Sequence, residues 1–185
     1  FAETLLDGAM YDEKTCRAFL QIIYEESERL SRLIQDLLQL AQIENRQITL
    51  RKAVLRARDE VADVVRLVAH AAEAKRQTVE NRVPESLRVV ADRDRLRQIL
   101  LNLLNNAIAY TPPGGRITLT GGEDAEGTWL TVRDTGPGIP REHLDRIFER
   151  FYRVDKDRSR RSGGTGLGLA IVKHLVEAHG GRVEV

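Results

Sequence analysis

A run of four glycines within residues 163–168 is the clearest candidate for chemistry in this sequence. The run lies directly before a segment with helical periodicity, residues 166–179. Amides at a helix start lack backbone partners, and glycines leave those amides accessible, so the arrangement suits a phosphate group. It is not a Walker loop, because the Lys-Ser/Thr ending is missing. Nor does a clear strand enter it, as a dinucleotide-binding fingerprint requires.

Three asparagines on a strongly apolar predicted helix form a second candidate site. Asn102 and Asn106 are four residues apart and share one helix face, with Asn105 beside them. Amides in so apolar a setting need hydrogen-bond partners or a ligand. Their oxygens suit a hard cation such as Mg²⁺, which commonly keeps water and phosphate oxygens among its ligands. The alternative, amides that cap neighbouring loops, explains one asparagine better than three.

Two weaker signals accompany these segments, an aspartate–glycine turn and a run of basic residues. Asp134 follows the alternating strand 129–133, and the glycines at 136 and 138 let the backbone approach a ligand closely. By itself such a pattern is more often only a turn. Residues 150–161 hold six bases and two acids, for which a solvated loop is the ordinary explanation.

Residues 13–45 are predicted to form one long helix with a heptad seam. Apolar residues recur at alternating steps of four and three, with Glu26 as a polar intrusion, at Phe19, Ile23, Leu30, Leu33, Leu37 and Leu40. Asp12 is the expected N-cap, and residues 1–10 resemble the end of another helix, turning at Gly8. The seam implies a partner, most simply a second copy that completes a four-helix bundle. The alternative is packing against the rest of its own chain.

From residue 48 onward, short strands and helices alternate. The predicted strands are 49–54, 78–83, 87–91, 116–120 and 128–133, and the predicted helices are 58–75, 94–110 and 166–179. A short helix should follow Pro140. This mixture predicts an α+β fold, a two-layer sandwich in which helices cover one face of a sheet. Residues 182–185 begin another strand, so we expect a native chain that continues.

Composition and charge exclude several classes of protein. Apolar residues make up 42% and charged residues 31%, as in folded globular chains. Residues 1–47 carry nine acids and five bases, and residues 48–185 carry nineteen acids and twenty-four bases. The net charge of +5 on residues 48–185 is too small for a surface that binds nucleic acid. No apolar run is long enough for a membrane span, and the single cysteine excludes an internal disulfide. We expect a cytoplasmic fragment without nucleic-acid or membrane contact.

Together, four segments resemble the sequence boxes of bacterial sensor histidine kinases. Residues 102–107 resemble the N box, 134–138 the G1 box, 148–153 the F box and 164–173 the G2 box. The resemblance implies that residues 48–185 are a C-terminally truncated catalytic ATP-binding domain, of the fold shared with gyrase and Hsp90. Residues 1–47 would then be part of the dimerisation hairpin, without the segment that carries the phosphoacceptor histidine.

The resemblance also implies a role for each matching position. Asp134 would be a buried carboxylate that accepts a hydrogen bond from the adenine amino group, Asn106 would hold Mg²⁺, and Asn102 would support it. Arg153 and Arg160 would neutralise phosphate charge. Other contacts to ATP would come from Tyr110, Gly136, Gly138, Lys156, Arg158, Gly164, Thr165, Gly166, Leu167 and Gly168. The implied partners are ATP, a second copy through residues 1–45, and the receiver domain of a response regulator, whose aspartate would take the phosphoryl group from histidine.

The chain departs from the family pattern at one position of the N box. Ala109 stands where many members have a basic residue that can reach a phosphate. Two other functions therefore stay open. Gyrase-, Hsp90- and MutL-like hydrolases carry a glutamate base where this chain has Asn102, which cannot take a proton. A scaffold module with a degenerate nucleotide site is the second alternative, which Ala109 favours and the intact boxes oppose.

We predict that residues 1–185 bind ATP but do not phosphorylate themselves. None of the four histidines, His70, His143, His174 and His179, is followed by the acidic residue that the family motif requires. Incubation with γ-labelled ATP and magnesium, followed by an acid-lability check, measures the outcome. Acid-labile label on this chain alone would contradict the prediction, and loss of that label in His143→Gln would identify the acceptor.

Overall fold

The computed structural model of the chain describes residues 2–6, 12–44, 49–154 and 164–185. Two helices come first, α1 (Ala2–Leu6) and α2 (Glu13–Glu44), and they contact each other. The Thr15 amide donates to the Asp12 carboxylate at 3.3 Å, so the predicted N-cap of α2 is confirmed. The predicted turn at Gly8 lies outside the described residues.

Strands and helices alternate through the rest of the chain, and the predicted α+β fold is confirmed. The elements are β1 (Lys52–Arg56), α3 (Ala57–Ala74), β2 (Thr78–Asn81), β3 (Arg88–Asp92), α4 (Arg93–Tyr110), β4 (Arg116–Asp124), β5 (Gly127–Asp134), a 3-10 turn (Arg141–His143) and α5 (Gly168–His179). β1 pairs with β3 in antiparallel register. β4 lies between β2, which is parallel to it, and β5, which is antiparallel. The predicted strands 116–120 and 128–133 therefore lie in one antiparallel hairpin, β4–β5.

The main core lies between the helices α3 and α4 and the strands. Apolar residues at helical spacing give α3 one buried face, and the same spacing buries Leu100 and Leu104 of α4. The alternation of side chains along strand β4 likewise buries Ile117 and Leu119. The buried residues of this cluster on α3 are Ala57, Val61, Val64, Val68 and Ala72. Helix α4 thus contacts both α3 and the strands.

A second, smaller apolar cluster joins α2 to α4 and α5. Leu40 of α2 is only 3% exposed, and it packs with apolar residues of α4 and α5, with Leu33 at the margin. The remaining buried members are Ile99, Leu167, Ile171, Val172 and Leu175. Part of the heptad seam therefore packs on its own chain, which was the alternative to a partner. Four other residues of the apolar stripe are exposed, namely Leu30, Ile34, Leu37 and Leu38.

The predicted strand at the end of the chain is wrong. Residues 182–185 form no strand. A strand needs a backbone partner, and this segment is instead tied by its Arg182 side chain, which pairs with Glu126 at the β4–β5 turn. Helix α4 begins at Arg93, with Asp92 as its N-cap, rather than at Asp94. Among the described residues, no helix combines the length and hydrophobicity that crossing a bilayer requires.

Asp92 connects three elements at one point. Its carboxylate accepts hydrogen bonds from the amides of Asp94 at 3.1 Å, Arg95 at 3.2 Å and Arg51 at 2.8 Å. Its own amide donates to Nε2 of His179 at 3.1 Å, at the end of α5. Partial burial favours the neutral acid, but the amide donors outweigh it and hold the pKa of the Asp92 carboxyl below its ordinary value.

We predict that Asp92→Ala lowers the free energy of unfolding at pH 7 by about 1–2 kcal/mol, as expected for a lost N-cap. The folded-state pKa lies below the unfolded value of about 3.9, so the carboxylate stabilises the fold fully above that value. Its contribution is lost as the pH falls through the folded pKa. Urea unfolding between pH 7 and pH 3 measures the difference in the free energy of unfolding between wild type and variant. We expect this difference to become smaller as the pH falls. A difference that stays constant would contradict this role, and exposed Asp145→Ala is the control, expected to stay within about 0.5 kcal/mol of wild type.

Candidate functional site

Two of the predicted segments lie beside helix α4. The glycine-rich segment is next to the middle of the helix, and the aspartate–glycine turn is next to its end. Gly168, at the start of α5, lies beside Asn102, whose Oδ1 is 3.8 Å from the position of a Cβ built on that glycine. Gly136 lies beside the end of α4, with a built Cβ 3.2 Å from the Tyr110 carbonyl oxygen. Asn102 and Tyr110 are eight residues apart, which is about 12 Å along a helix axis. The site can therefore hold an elongated ligand with chemically different ends.

The glycine loop, residues 164–168, lies against the backbone of the preceding F-box segment. Gly166 has φ +75°, and a Cβ there would lie 2.9 Å from Cα of Phe151. The Phe151 amide donates to the Gly166 carbonyl oxygen at 2.9 Å. Phe151 itself has φ +61°, a strained value for a bulky residue, which the contact with Gly166 holds in place. Only glycine at 166 fits both the backbone angle and the close approach.

Two buried donor atoms beside the glycine loop have no hydrogen-bond partner among the residues that the structure describes. They are Nδ2 of Asn102 and Nη2 of Arg153. Nη2 of Arg153 is 3.8 Å from the Cβ position at Gly164, and Asn102 borders Gly168. An unpaired buried donor costs about 1–3 kcal/mol, so donors left unpaired at one place indicate an absent acceptor. A phosphate group is such an acceptor, and the cationic guanidinium would also neutralise its charge.

Thr165 and Leu167 have different surroundings from those expected of direct ligand contacts. The Thr165 hydroxyl donates to the Asp36 carboxylate at 2.8 Å and accepts the Leu167 amide at 3.2 Å. The Leu167 side chain is fully buried in the cluster that joins α2, α4 and α5. Leu167 thus anchors the loop in the core, and its amide is already engaged by a side chain.

Asp134 ends β5 with its carboxylate exposed, so the expectation of a buried carboxylate is wrong. The reason is topological: among the described residues, β5 is the edge strand of its sheet, with β4 as its one neighbour. The Gly136 amide donates to Oδ1 of Asp134 at 2.7 Å, which fixes the carboxylate over the turn. The Thr135 hydroxyl accepts the Arg116 amide at 2.9 Å and holds the other side. Gly138 follows with φ +72°.

The asparagine cluster divides between two environments. Asn102 and Asn106 are half-buried on one face of α4, whereas Asn105 is exposed. Of the predicted group, Asn102 and Asn106 therefore share a half-buried face of α4, and Asn105 faces solvent. Tyr110, at the end of α4, is 44% exposed, so its ring is accessible to a ligand. The predicted residues Lys156, Arg158 and Arg160 lie outside the described residues.

Sequence reasoning missed the groups that hold the end of α4. Nζ of Lys75 donates to the carbonyl oxygens of Ile108 at 2.6 Å and Ala109 at 3.1 Å. Nε2 of buried Gln77 donates to the carbonyl oxygen of Thr111 at 2.6 Å. Both satisfy carbonyls that a helix end leaves unpaired. A lysine and a glutamine directly after α3 gave no signal that they would cap a different helix, because that contact depends on the tertiary fold.

The F-box segment is also held by side chains that sequence reasoning did not assign. Nδ1 of His143 lies 2.6 Å from the Tyr152 hydroxyl, and the two groups share a hydrogen bond. The Arg146 guanidinium lies 4.3 Å from the centre of the Tyr152 ring, within cation–π range. His143 therefore has a local structural role next to the F box.

Comparison with known proteins agrees with this geometry. Residues 91–185 match the model of histidine kinase-, DNA gyrase B- and HSP90-like ATPases, and residues 1–46 match the His kinase A (phospho-acceptor) domain. The chain therefore belongs to the family of histidine kinase-, DNA gyrase B- and HSP90-like ATPases.

The relatives narrow the similarity to one branch of that family. The chain is 35% identical over 185 residues to the sensor histidine kinase WalK of Bacillus subtilis, covering 99% of this chain and 30% of that protein. It is 38% identical over 186 residues to the WalK of Staphylococcus saprophyticus, covering 99% of this chain and again 30% of the relative. The chain thus spans about a third of the length of these relatives.

Solved structures give the same result. Full-length ShkA in complex with AMPPNP superposes with a TM-score of 0.74 at 33% identity, over 89% of this chain and 34% of that one. The histidine kinase ThkA in complex with the response regulator TrrA gives 0.72 at 27% identity, over 92% of this chain and 46% of that one.

We predict that Gly166→Ala weakens nucleotide binding by about tenfold or more, equivalent to 1.4 kcal/mol, because the added Cβ would force the loop away from Phe151. Gly180→Ala is a matched control. Gly180 has a similar φ of +85°, but no atom lies within 4 Å of its Cβ position, at the far end of α5. Both variants should lose stability in urea, and only Gly166→Ala should lose affinity for AMPPNP in calorimetric titration. Equal affinities would show that the close approach does not matter for binding.

Proposed function

We propose that this chain is the kinase core of a sensor histidine kinase, which binds ATP and transfers its γ-phosphoryl group to a histidine. The observation that carries the proposal is the pair of unpartnered buried donors, Asn102 Nδ2 and Arg153 Nη2, beside the glycine loop. They supply hydrogen bonds and positive charge at a helix start, which is where phosphate binding is most favourable. The similarity to a sensor kinase solved with AMPPNP supports the same ligand.

The two ends of the site would bind the two ends of ATP. The phosphates would lie at the glycine loop, with Gly164, Gly166 and Gly168 leaving room for their oxygens. The adenine would lie near Tyr110 and Asp134, whose fixed carboxylate would accept a hydrogen bond from the exocyclic amino group. Outside the described residues, Lys156, Arg158 and Arg160 are proposed to add positive charge over the phosphates.

A magnesium ion fits the donor set at Asn106. The amide oxygen is a hard ligand, and the residue shares a half-buried helix face with Asn102, next to the proposed phosphate position. When bound, Mg²⁺ would neutralise phosphate charge and so favour departure of the ADP oxygen. The protein's own residues would position the phosphates and stabilise their charge, which is most of what phosphoryl transfer requires of a protein.

Residue 102 favours transfer to a protein group over hydrolysis. A hydrolase of this fold needs a base at that position to activate water, and an asparagine side chain cannot accept the proton. Transfer to histidine needs no such base, because the imidazole nitrogen attacks with its own lone pair. The bond from phosphorus to the ADP oxygen breaks as the bond from phosphorus to nitrogen forms. We propose that the phosphoryl group then passes to an aspartate on a receiver domain, as the ThkA–TrrA complex suggests.

The open face of α2 is the proposed dimer interface. Leu30, Ile34, Leu37 and Leu38 are each 43–60% exposed and lie on one side of the helix, next to the part that packs on the chain's own core. A second copy would bury this stripe and complete a four-helix bundle. We further propose that residues 1–47 belong to that bundle, that residues 48–185 form the ATP-binding unit, and that both work in the cytoplasm.

Asp134→Ala is expected to lower AMPPNP affinity about tenfold to a hundredfold, the usual effect of losing a hydrogen bond to a charged acceptor. Asp124→Ala is a matched control on the same hairpin. The Asp124 carboxylate also accepts turn amides, from Glu126 at 2.8 Å and Gly127 at 3.1 Å, but at the opposite end of β4 and β5. Calorimetric titration with magnesium should separate the two variants. Wild-type affinity in a folded Asp134→Ala chain would remove Asp134 from the site.

The dimer is tested by charge placed on its proposed interface. Ile34→Asp with Leu38→Asp should give monomers, because each new carboxylate would be buried without a partner. Leu67→Asp, at a leucine that is 71% exposed on α3, is the control and should leave the dimer intact. Light scattering over a concentration series measures the mass. A wild-type chain that stays monomeric at high concentration would count against the interface.

A further inference from the structure

A hydrogen bond between two side chains joins the long helix α2 to the glycine loop. The Thr165 hydroxyl donates to Oδ2 of Asp36 at 2.8 Å, and the two residues are 129 positions apart in the chain. The same hydroxyl accepts the Leu167 amide at 3.2 Å. The hydroxyl therefore connects a carboxylate on α2 with a backbone amide of the loop.

Apolar packing on both sides holds Asp36 at this position. Leu33, Asp36 and Leu40 lie three and four residues apart, so they share one face of α2. Leu40 is 3% exposed among apolar side chains of α4 and α5, and Leu33 packs at the edge of the same cluster. Asp36 itself is half-buried. The contact is thus part of a defined interface between α2 and the loop.

The charge of Asp36 opposes the ligand that the loop is proposed to bind. A carboxylate next to a phosphate site raises the energy of a bound polyanion, and partial burial weakens the screening by salt. It also occupies the Thr165 hydroxyl, through which the Leu167 amide is engaged. A docked α2 and a filled phosphate site therefore disfavour each other. Such coupling is reciprocal: the free energy by which α2 docking weakens nucleotide binding equals the free energy by which bound nucleotide weakens α2 docking.

We propose that Asp36 couples nucleotide occupancy to the docking of α2. With Asp36 on Thr165, the site binds ATP weakly; ATP in the loop displaces Asp36 and frees α2 to change its position relative to the site. Asp36 is in this account a positioning residue, since it acts on the phosphates through the loop. The proposal rests on the function proposed above in one respect, that the ligand of the loop is ATP.

The experiment compares AMPPNP affinity with magnesium in wild type, Asp36→Asn and Glu28→Gln. Asp36→Asn keeps the shape and an acceptor oxygen while it removes the charge. Glu28→Gln removes the same charge from an exposed position on the same helix. We expect Asp36→Asn to bind about five times more tightly than wild type, the lower end of typical coupling, and Glu28→Gln to bind as wild type does. Affinity of Asp36→Asn equal to or weaker than that of Glu28→Gln overturns the proposal.

Hydrogen exchange supplies a readout that a merely structural role would not change. In wild type, AMPPNP should increase amide exchange in residues 33–41 of α2, and the increase should be smaller in Asp36→Asn, whose helix is already less firmly docked. An equal response in both chains, or none in wild type, overturns the coupling even where affinities differ. If wild type binds no AMPPNP, the proposed function itself fails, which calorimetry distinguishes from failure of the coupling alone.

Discussion

The contact between α4 and the start of α5 is the constraint on which the site depends. Ile99 packs with Leu167, Ile171 and Leu175, so the two helices have one fixed register. Asn102 is one turn beyond Ile99, and this register is what places it beside Gly168. The apolar contact thus supplies the free energy that keeps a polar donor buried without a partner. Loss of that packing would remove the site before it removed the fold.

The same apolar cluster extends to α2, and it therefore connects the position of α2 with the glycine loop. Because Leu40 and Leu167 belong to the same buried cluster, a displacement of α2 changes the packing around a residue of the glycine loop. Packed interiors change between discrete arrangements more readily than they deform gradually. A helix that also offers an exposed apolar face to a partner is therefore well placed to transmit a change in the assembly to the loop. The Asp36–Thr165 contact adds a charge to that connection.

Periodicity was enough to predict most of the fold. The helical spacing of Val61, Val64 and Val68 and the alternation of β4 have only one efficient way to be buried, which is why α3, α4 and the hairpin lie where expected. The pairing of β2 with β4 and of β1 with β3 had no local signal, since it is decided by how the helices pack. Residues 182–185 were misassigned because strand propensity does not determine whether a segment pairs with another strand.

The segments that form the site could be predicted from the sequence. The contacts between residues distant in the chain mostly could not. Glycine spacing and the asparagine pair identify the loop and the helix face, because few residue types can serve there. The exposure of Asp134 follows from the edge position of β5, which the sequence does not specify. Lys75, Gln77 and Asp36 act on residues distant in the chain, and only tertiary structure brings them together.

The central claim is that one ligand spans α4, from the Asp134 turn to the glycine loop. Hydrogen exchange of the folded chain with and without AMPPNP and magnesium tests it most directly. The account predicts slower amide exchange in two separate segments, residues 134–138 and residues 164–170, with no change at the β4–β5 turn around residue 125. Protection confined to one segment, or spread evenly over the whole chain, would contradict it.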